Sequence, residues 1–308
     1  MIQTPDYMTL LPPSVLSRFS QMPILARGFV DGFKNGDHRS LYLGSSTEFA
    51  EHREYSPGDD PRGLDWRVFG KMDRYYVKQY VEETNLRATI LLDASASMGF
   101  VGDSATEVTG RRLSKFSYAQ HLAAAIAYLL TRQGDAVGLF TFDSQVRDCL
   151  PAAGKASHLR RLLQVMHRTR PGGESKLADV LNEIVLQIPR RGLVVVISDF
   201  FDDVEDITAS LHHLRHRKHE VILCHVLADE EISFPYSTAT KFRDLEQVVG
   251  HLDIDPEAIR REYLSQFSDY LQKLEAACGH VEADYVQLCT KNSYERSLAD
   301  YLASRLGR

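Results

Sequence analysis

Several things are scarce in this sequence, and each scarcity removes a class of protein. Only four of the 308 residues are cysteine, Cys149, Cys224, Cys278 and Cys289, and no two are spaced as Cys-x-x-Cys. Neither a zinc knuckle nor a disulfide framework is therefore indicated, and the thiols that lie in apolar stretches are expected to be small buried side chains. No run of about 18 apolar residues occurs, and the start Met-Ile-Gln-Thr-Pro-Asp lacks the charged-then-apolar plan of a secretory leader. The expectation is a soluble, cytoplasmic chain with no membrane span. A positive surplus is also missing: 36 Lys and Arg stand against 42 Asp and Glu, for a net charge of −6, which argues against a general nucleic-acid surface. Gly-x-Ser-x-Gly, Gly-x-x-x-x-Gly-Lys and Gly-x-Gly-x-x-Gly are all absent, so no hydrolase elbow, phosphate loop or dinucleotide turn is present.

What is present is organised around residues 88–99, Ala-Thr-Ile-Leu-Leu-Asp93-Ala-Ser95-Ala-Ser97-Met-Gly. An apolar, β-favouring run that stops at an aspartate and two serines spaced two apart reads as a buried parallel strand bringing oxygens to the carboxyl edge of a sheet. Leu193 to Ser198 is a second such run and ends at Asp199. Between them, Gly172-Gly173-Glu174-Ser175 places a hydroxyl behind two glycines. Carboxylate and hydroxyl oxygens suit a hard divalent cation such as Mg²⁺, Mn²⁺ or Ca²⁺. The competing reading is that the same polar residues cap strand ends and helix starts.

Elements alternate along the rest of the chain. Helices are predicted at Lys115 to Gln133, with Gly134 in a C-cap position, and at His158 to Arg168, Ser175 to Ile188 and Val204 to Arg217. Asp255-Pro256-Glu257 supplies an N-cap, a first-turn proline and a first-turn carboxylate for a long helix to Cys278, and Tyr294 to Leu306 is the last helix. Strands are predicted at Tyr76 to Val81, Ala136 to Phe142, Val146 to Leu150, Val221 to Leu227 and Ala283 to Leu288. Strand and helix in alternation give an α/β fold with a mostly parallel central sheet and helices on both faces. Residues 1–86 form a β-rich, turn-rich N-terminal segment expected to pack on the main domain, 87–308, which carries a hairpin excursion near 238–253. In the first part, Pro57-Gly58 fits a tight turn among arginines and carboxylates running from Arg53 to Trp66. That density suits either a self-paired network or a docking surface, and the single tryptophan, Trp66, is expected to be a buried anchor.

Asp93, Ser95, Ser97, Ser175 and Asp199 together resemble the metal-ion-dependent adhesion site of von Willebrand factor A domains, built from an Asp-x-Ser-x-Ser loop, a threonine loop and an aspartate loop. Ser175 departs from that pattern by replacing the threonine. His38-Arg39-Ser40, the Arg53 to Trp66 run and the adjoining Asp-x-Ser-x-Ser strand are similar to the bacterial domain-of-unknown-function family 58. The resemblance implies a Rossmann-like von Willebrand factor A fold, one divalent cation on those five residues, and recognition of an acidic residue presented by a protein partner. It also implies a MoxR-type AAA+ ATPase as that partner, in a chaperone-like or assembly system. No catalytic motif is found, so the chain is expected not to be an enzyme; metal-assisted hydrolysis by a water on the cation is the alternative. A haloacid-dehalogenase-like phosphatase is disfavoured because Ser95 stands where its second aspartate would be. His212, His213, His216 and His219 lie among Arg215, Arg217 and Lys218, and read as a solvated basic helix rather than a zinc site.

Overall fold

The computed structural model describes residues 6–20, 47–55, 64–72, 74–82, 86–108, 110–237, 240–243 and 251–306. His38-Arg39-Ser40 and the Pro57-Gly58 turn lie outside these residues. The chain divides into two compact units: residues 37–85, and residues 1–36 together with 86–308.

In the smaller unit, β1 (Thr47–Glu54) pairs antiparallel with β2 (Tyr76–Glu82), and the register shifts between Phe49 and Glu51. A short helix, Trp66–Met72, is opened by Asp65, whose Oδ1 accepts from the backbone N–H of Arg67 at 2.9 Å. Trp66 is not the buried anchor expected from the sequence: it is 63% exposed. Phe69 stacks on Tyr75 with ring centroids 4.5 Å apart, and Trp66 meets only the edge of that pair, 6.2 Å from Phe69. The first residue of a short helix has no turn before it to pack on, so the indole is left on the outside.

The larger unit is built on one six-stranded sheet. Its strands are β3 (Arg87–Asp93), β6 (Ala136–Phe142), β7 (Val146–Ala153), β8 (Leu193–Ser198), β9 (Glu220–Leu227) and β12 (Asp284–Cys289), after the small pair β4 (Glu107–Val108) and β5 (Arg111–Arg112). The order is β12-β9-β8-β3-β6-β7, parallel throughout except for the edge hairpin β6–β7. This is the α/β architecture with a mostly parallel, Rossmann-like central sheet expected from the sequence. Short strands β10 (Thr240–Arg243) and β11 (His251–Ile254) pair antiparallel where the hairpin was expected.

Burial explains why the central strands read as unbroken apolar runs. Every residue of β8, and every residue of β3 after Arg87, is buried, because helices cover both faces. Alternate side chains divide between two cores. Ile90, Leu92, Val195 and Ile197 pack with the helices Lys115–Arg132, Ala156–Arg168 and Tyr294–Leu306, while Leu91, Val194 and Val196 pack with Leu177–Gln187, Val204–His216 and Pro256–His280. Leu10, Leu11 and Val15, assigned from the sequence to the N-terminal segment, belong to the first of these cores. The Leu10 carbonyl is 3.0 Å from His121 Nδ1, which fixes the lead-in to the long helix. Truncating a leucine in either core is worth about 2–5 kcal/mol. Cys224 and Cys278 are buried as expected, whereas Cys149 is exposed on β7.

Strand order places the important edge. It reverses between β3 and β8, the first and fourth strands of the doubly wound sheet, and a crevice opens outside their carboxyl ends at such a reversal. Asp93 and Asp199 stand at those two ends.

Candidate functional site in the β3–β8 crevice

Asp93 is the last residue of β3 and is fully buried. Both of its oxygens are engaged: Oδ1 accepts from the Ser95 N–H at 2.8 Å and Oδ2 from the Ser198 hydroxyl at 2.6 Å. Ser198 therefore ties the two strand ends together across the reversal, and its Oγ in turn accepts from the Phe200 N–H at 2.9 Å. Ser95 and Ser97 lie with their hydroxyl oxygens 3.1 Å apart. Burial first, and then the negative charge of Asp199, push the Asp93 carboxyl from 3.8 up to about 7.

Asp199 follows β8 and is buried as completely, yet its carboxyl is held below the ordinary value. Burial acts to raise it; the charge and hydrogen bond of Lys115 prevail in the other direction, with the Ser97 hydroxyl close enough to help. Lys115 Nζ is 2.8 Å from Asp199 Oδ2 and 2.6 Å from Glu231 Oε1, and the lysine side chain is only 3% exposed. The other oxygen, Asp199 Oδ1, is buried with no hydrogen-bond partner among the described residues.

Ser175 follows the glycine loop, which is bonded to this edge. The Gly172 N–H donates to the Ala94 carbonyl at 2.9 Å, and the Ala96 N–H to the Gly173 carbonyl at 2.9 Å, so the loop is laced to the Asp-x-Ser-x-Ser turn. Gly173 has φ of +83°, and a Cβ there would sit 2.7 Å from Asp143 Oδ2, so the position needs glycine on both counts. Arg147 braces the arrangement, with Nε 2.7 Å from Asp143 Oδ2 and a second nitrogen 2.7 Å from the Arg170 carbonyl. Ser175 Oγ, like Asp199 Oδ1, is buried without a partner among the described residues.

Three supporting groups were not singled out from the sequence. Ser198 reads only as the last residue of an apolar strand. Glu230 and Glu231 lie in a five-residue helix, Asp229–Ser233, that the strand-and-helix pattern passes over. Glu231 Oε2 accepts from the Ala228 N–H at 2.7 Å, and Glu230 Oε1 accepts from both the N–H and the hydroxyl of Ser104 at 3.0 Å, holding the 99–112 loop to that helix. Lys115 did carry a signal, since it follows the N-cap Ser114 directly. A cation in the first turn of a helix opposes the macrodipole and needs a compensating anion.

The donor set can be weighed chemically. It holds two carboxylates and three hydroxyls, oxygen only, and two of those oxygens are buried and unbonded, which fits a hard divalent cation and no soft one. Both Asp93 oxygens are taken, and the nearby His225 is buried, bonded through Nδ1 to the Tyr285 hydroxyl at 2.7 Å and held down to about 4 by burial, which the charge of Asp199 only partly opposes. Of the histidines at and just after the helix Val204–His216, His213 bonds Asn182 at 2.7 Å, His212 and His216 are exposed, and His219, beyond the helix end, is buried rather than solvated.

Comparison with known proteins gives one family and several distant likenesses. Residues 51–271 match the family described as "Protein of unknown function DUF58". An uncharacterized protein of Mycobacterium tuberculosis is 26% identical over 297 residues, 95% of this chain and 90% of that protein. Among solved structures, conserved hypothetical protein BatB from Bacteroides thetaiotaomicron is 16% identical at a TM-score of 0.44, over 72% of this chain and 100% of that one. The SpRpn10 VWA domain is 13% identical at a TM-score of 0.41, over 71% of this chain and 95% of that one. No helix among the described residues is long and apolar enough to cross a membrane.

Proposed function

The chain belongs to the DUF58 family, whose sequence profile covers residues 51–271, and we propose that it is a metal-dependent protein-binding module. The observation that carries this reading is Asp199 Oδ1, a buried oxygen with no partner among the described residues at the crevice where the strand order reverses, together with Ser175 Oγ, likewise without a partner, just past the glycine loop laced to that edge. An unsatisfied buried oxygen is costly, on the order of 1–3 kcal/mol, which favours a ligand that answers it. Ser95, Ser97, Ser175 and Asp199 would hold a divalent cation, Mg²⁺ or Mn²⁺ before Ca²⁺, with Asp93 contributing through its fixed orientation. The cation supplies a positive charge at the surface of the crevice that accepts an acidic side chain from a partner.

The protein's own residues do the rest. Ser198 and the Ser95 N–H fix the Asp93 carboxylate, and the laced glycine loop sets the Ser175 hydroxyl. The loop 99–112, held by Glu230, and the loop Gly172–Ser175 form the rim that a partner would meet. Phe201, two residues after Asp199 and 74% exposed, offers an apolar side chain to a partner. Its exposure follows from Phe200, whose left-handed backbone at φ +50° turns the chain outward while its own ring stays buried.

The family resemblance makes a MoxR-type AAA+ ATPase the first partner to try, in a chaperone-like or assembly role. The alternative is a metal-assisted hydrolase acting through a water on the cation. Purified ATPase titrated into this chain with Mg²⁺ should bind, with affinity falling about tenfold or more on adding chelator or in Ser175→Ala, a change that breaks no bond in the structure. Affinity unchanged by both would move recognition away from the crevice.

A further inference from the structure

Lys115 sits where an ammonium is hard to place. It opens a helix, is 3% exposed, and is held between two carboxylates, Asp199 Oδ2 at 2.8 Å and Glu231 Oε1 at 2.6 Å. Asp199 thus gives one oxygen to a resident cation and leaves the other buried and unbonded. A divalent ion drawn to Oδ1 would meet the lysine charge across a single carboxyl group. Like charges at such a separation repel strongly, and burial leaves little water to screen them. Glu231 offers the ammonium a second seat, itself fixed by the Ala228 N–H at 2.7 Å.

We infer that Lys115 is a built-in competitor for the divalent-cation site: its ammonium occupies Asp199, lowers the affinity of the crevice for Mg²⁺ or Mn²⁺, and shifts toward Glu231 when such an ion is taken up. This rests on the metal-dependent reading above and adds its regulation. Charge at the crevice is balanced from inside the chain until the external ion reaches a sufficient concentration. The site is therefore expected to answer to changes in cation level rather than to stay loaded, and any change in the hold of Glu231 on Lys115 would retune it.

The test is calorimetric titration of the full chain with MnCl₂ and MgCl₂, in wild type, Lys115→Met and Lys115→Arg. Lys115→Met should bind Mn²⁺ on the order of tenfold or more tightly than wild type, while Lys115→Arg, which keeps the charge, should stay within about threefold. Binding by Lys115→Met alone would support the inference as well. Equal affinity in wild type and Lys115→Met would overturn it and leave the metal site standing. Binding by neither would overturn the metal site and this inference together. Should Lys115→Met not fold without metal, the side-chain ammonium resonance of Lys115 in wild type, assigned by its loss in Lys115→Arg, gives the same answer. It should shift when Mg²⁺ binds; a resonance that stays still while Mg²⁺ binds would refute displacement.

Discussion

The ends of β3 and β8 present the same side chain in the same depth of burial, and the two behave in opposite ways. At the end of β3, Asp93 meets hydroxyl and amide donors but no cation, and burial with the neighbouring charge raises its carboxyl to about 7. At the end of β8, Asp199 meets Lys115, whose charge holds its carboxyl below the ordinary value. Burial penalises both anions alike, so the difference lies in where the one internal ammonium was placed. Two neighbouring buried carboxylates are thereby shifted in opposite directions.

Removing the ammonium should break this difference most severely. Lys115→Met strands Asp199 as an uncompensated buried charge, and unfolding in urea with chelator present should show a loss of about 3–5 kcal/mol. If the loss is under about 1 kcal/mol, Asp199 is not ionised in the folded chain.

Replacing Asp93 sharpens the comparison from the other side. A carboxyl raised from 3.8 to about 7 on folding means that the native state keeps a proton the unfolded chain has lost. Its stabilisation is full below about pH 4 and disappears as pH rises through about 7. The buried His225, lowered from 6.5 to about 4, contributes with the opposite sign over much of that window, so the wild-type curve alone is a sum. The difference between Asp93→Asn and wild type isolates Asp93. It should grow in favour of the variant by about 2–4 kcal/mol between pH 4 and 7, measured by urea unfolding in chelator. A flat difference would mean that Asp93 is ionised across the range.

Smaller effects are expected from the hydroxyls. Ser198→Ala removes the 2.6 Å bond to Asp93 and the acceptor for Phe200 N–H, and should cost about 1–3 kcal/mol by the same measurement. Ser175→Ala should stay within about 0.5 kcal/mol of wild type, because its Oγ has no partner to lose. Equal costs for the two serines would show that Ser175 also serves the fold.

Much of this edge was legible before any coordinates. The unbroken apolar runs ending at Asp93 and Asp199, and the glycine pair before Ser175, follow from local pattern because a buried parallel strand has few alternatives. The helix Tyr294–Leu306 and the Asp255-Pro256 helix start came through unchanged. What pattern could not show is pairing between positions far apart in the chain. Ser198 bonds a residue 105 positions earlier, and Lys115 reaches residues 84 and 116 positions later. Trp66 erred in another way: hydrophobicity alone suggested an interior anchor, but a short helix leaves its first side chain little to cover it.

Trp66 also determines how this protein can be watched. It is the sole indole in the chain, lies in the unit 37–85, and is 63% exposed. Excitation at the red edge of the ultraviolet band, where only indole absorbs, will report that unit alone, with the emission of a water-bathed fluorophore that quenches readily with iodide or acrylamide. Events at the β3–β8 crevice need a different optical handle. Tyrosines supply it, since Tyr118 and Tyr294 are buried in the larger unit with rings 6.1 Å apart and edge to face, an asymmetric setting that gives strong near-ultraviolet dichroism. A fluorescence melt of the sample will trace the smaller unit and a dichroism melt the aromatics of both, so any gap between the two curves reports how independently the two units unfold.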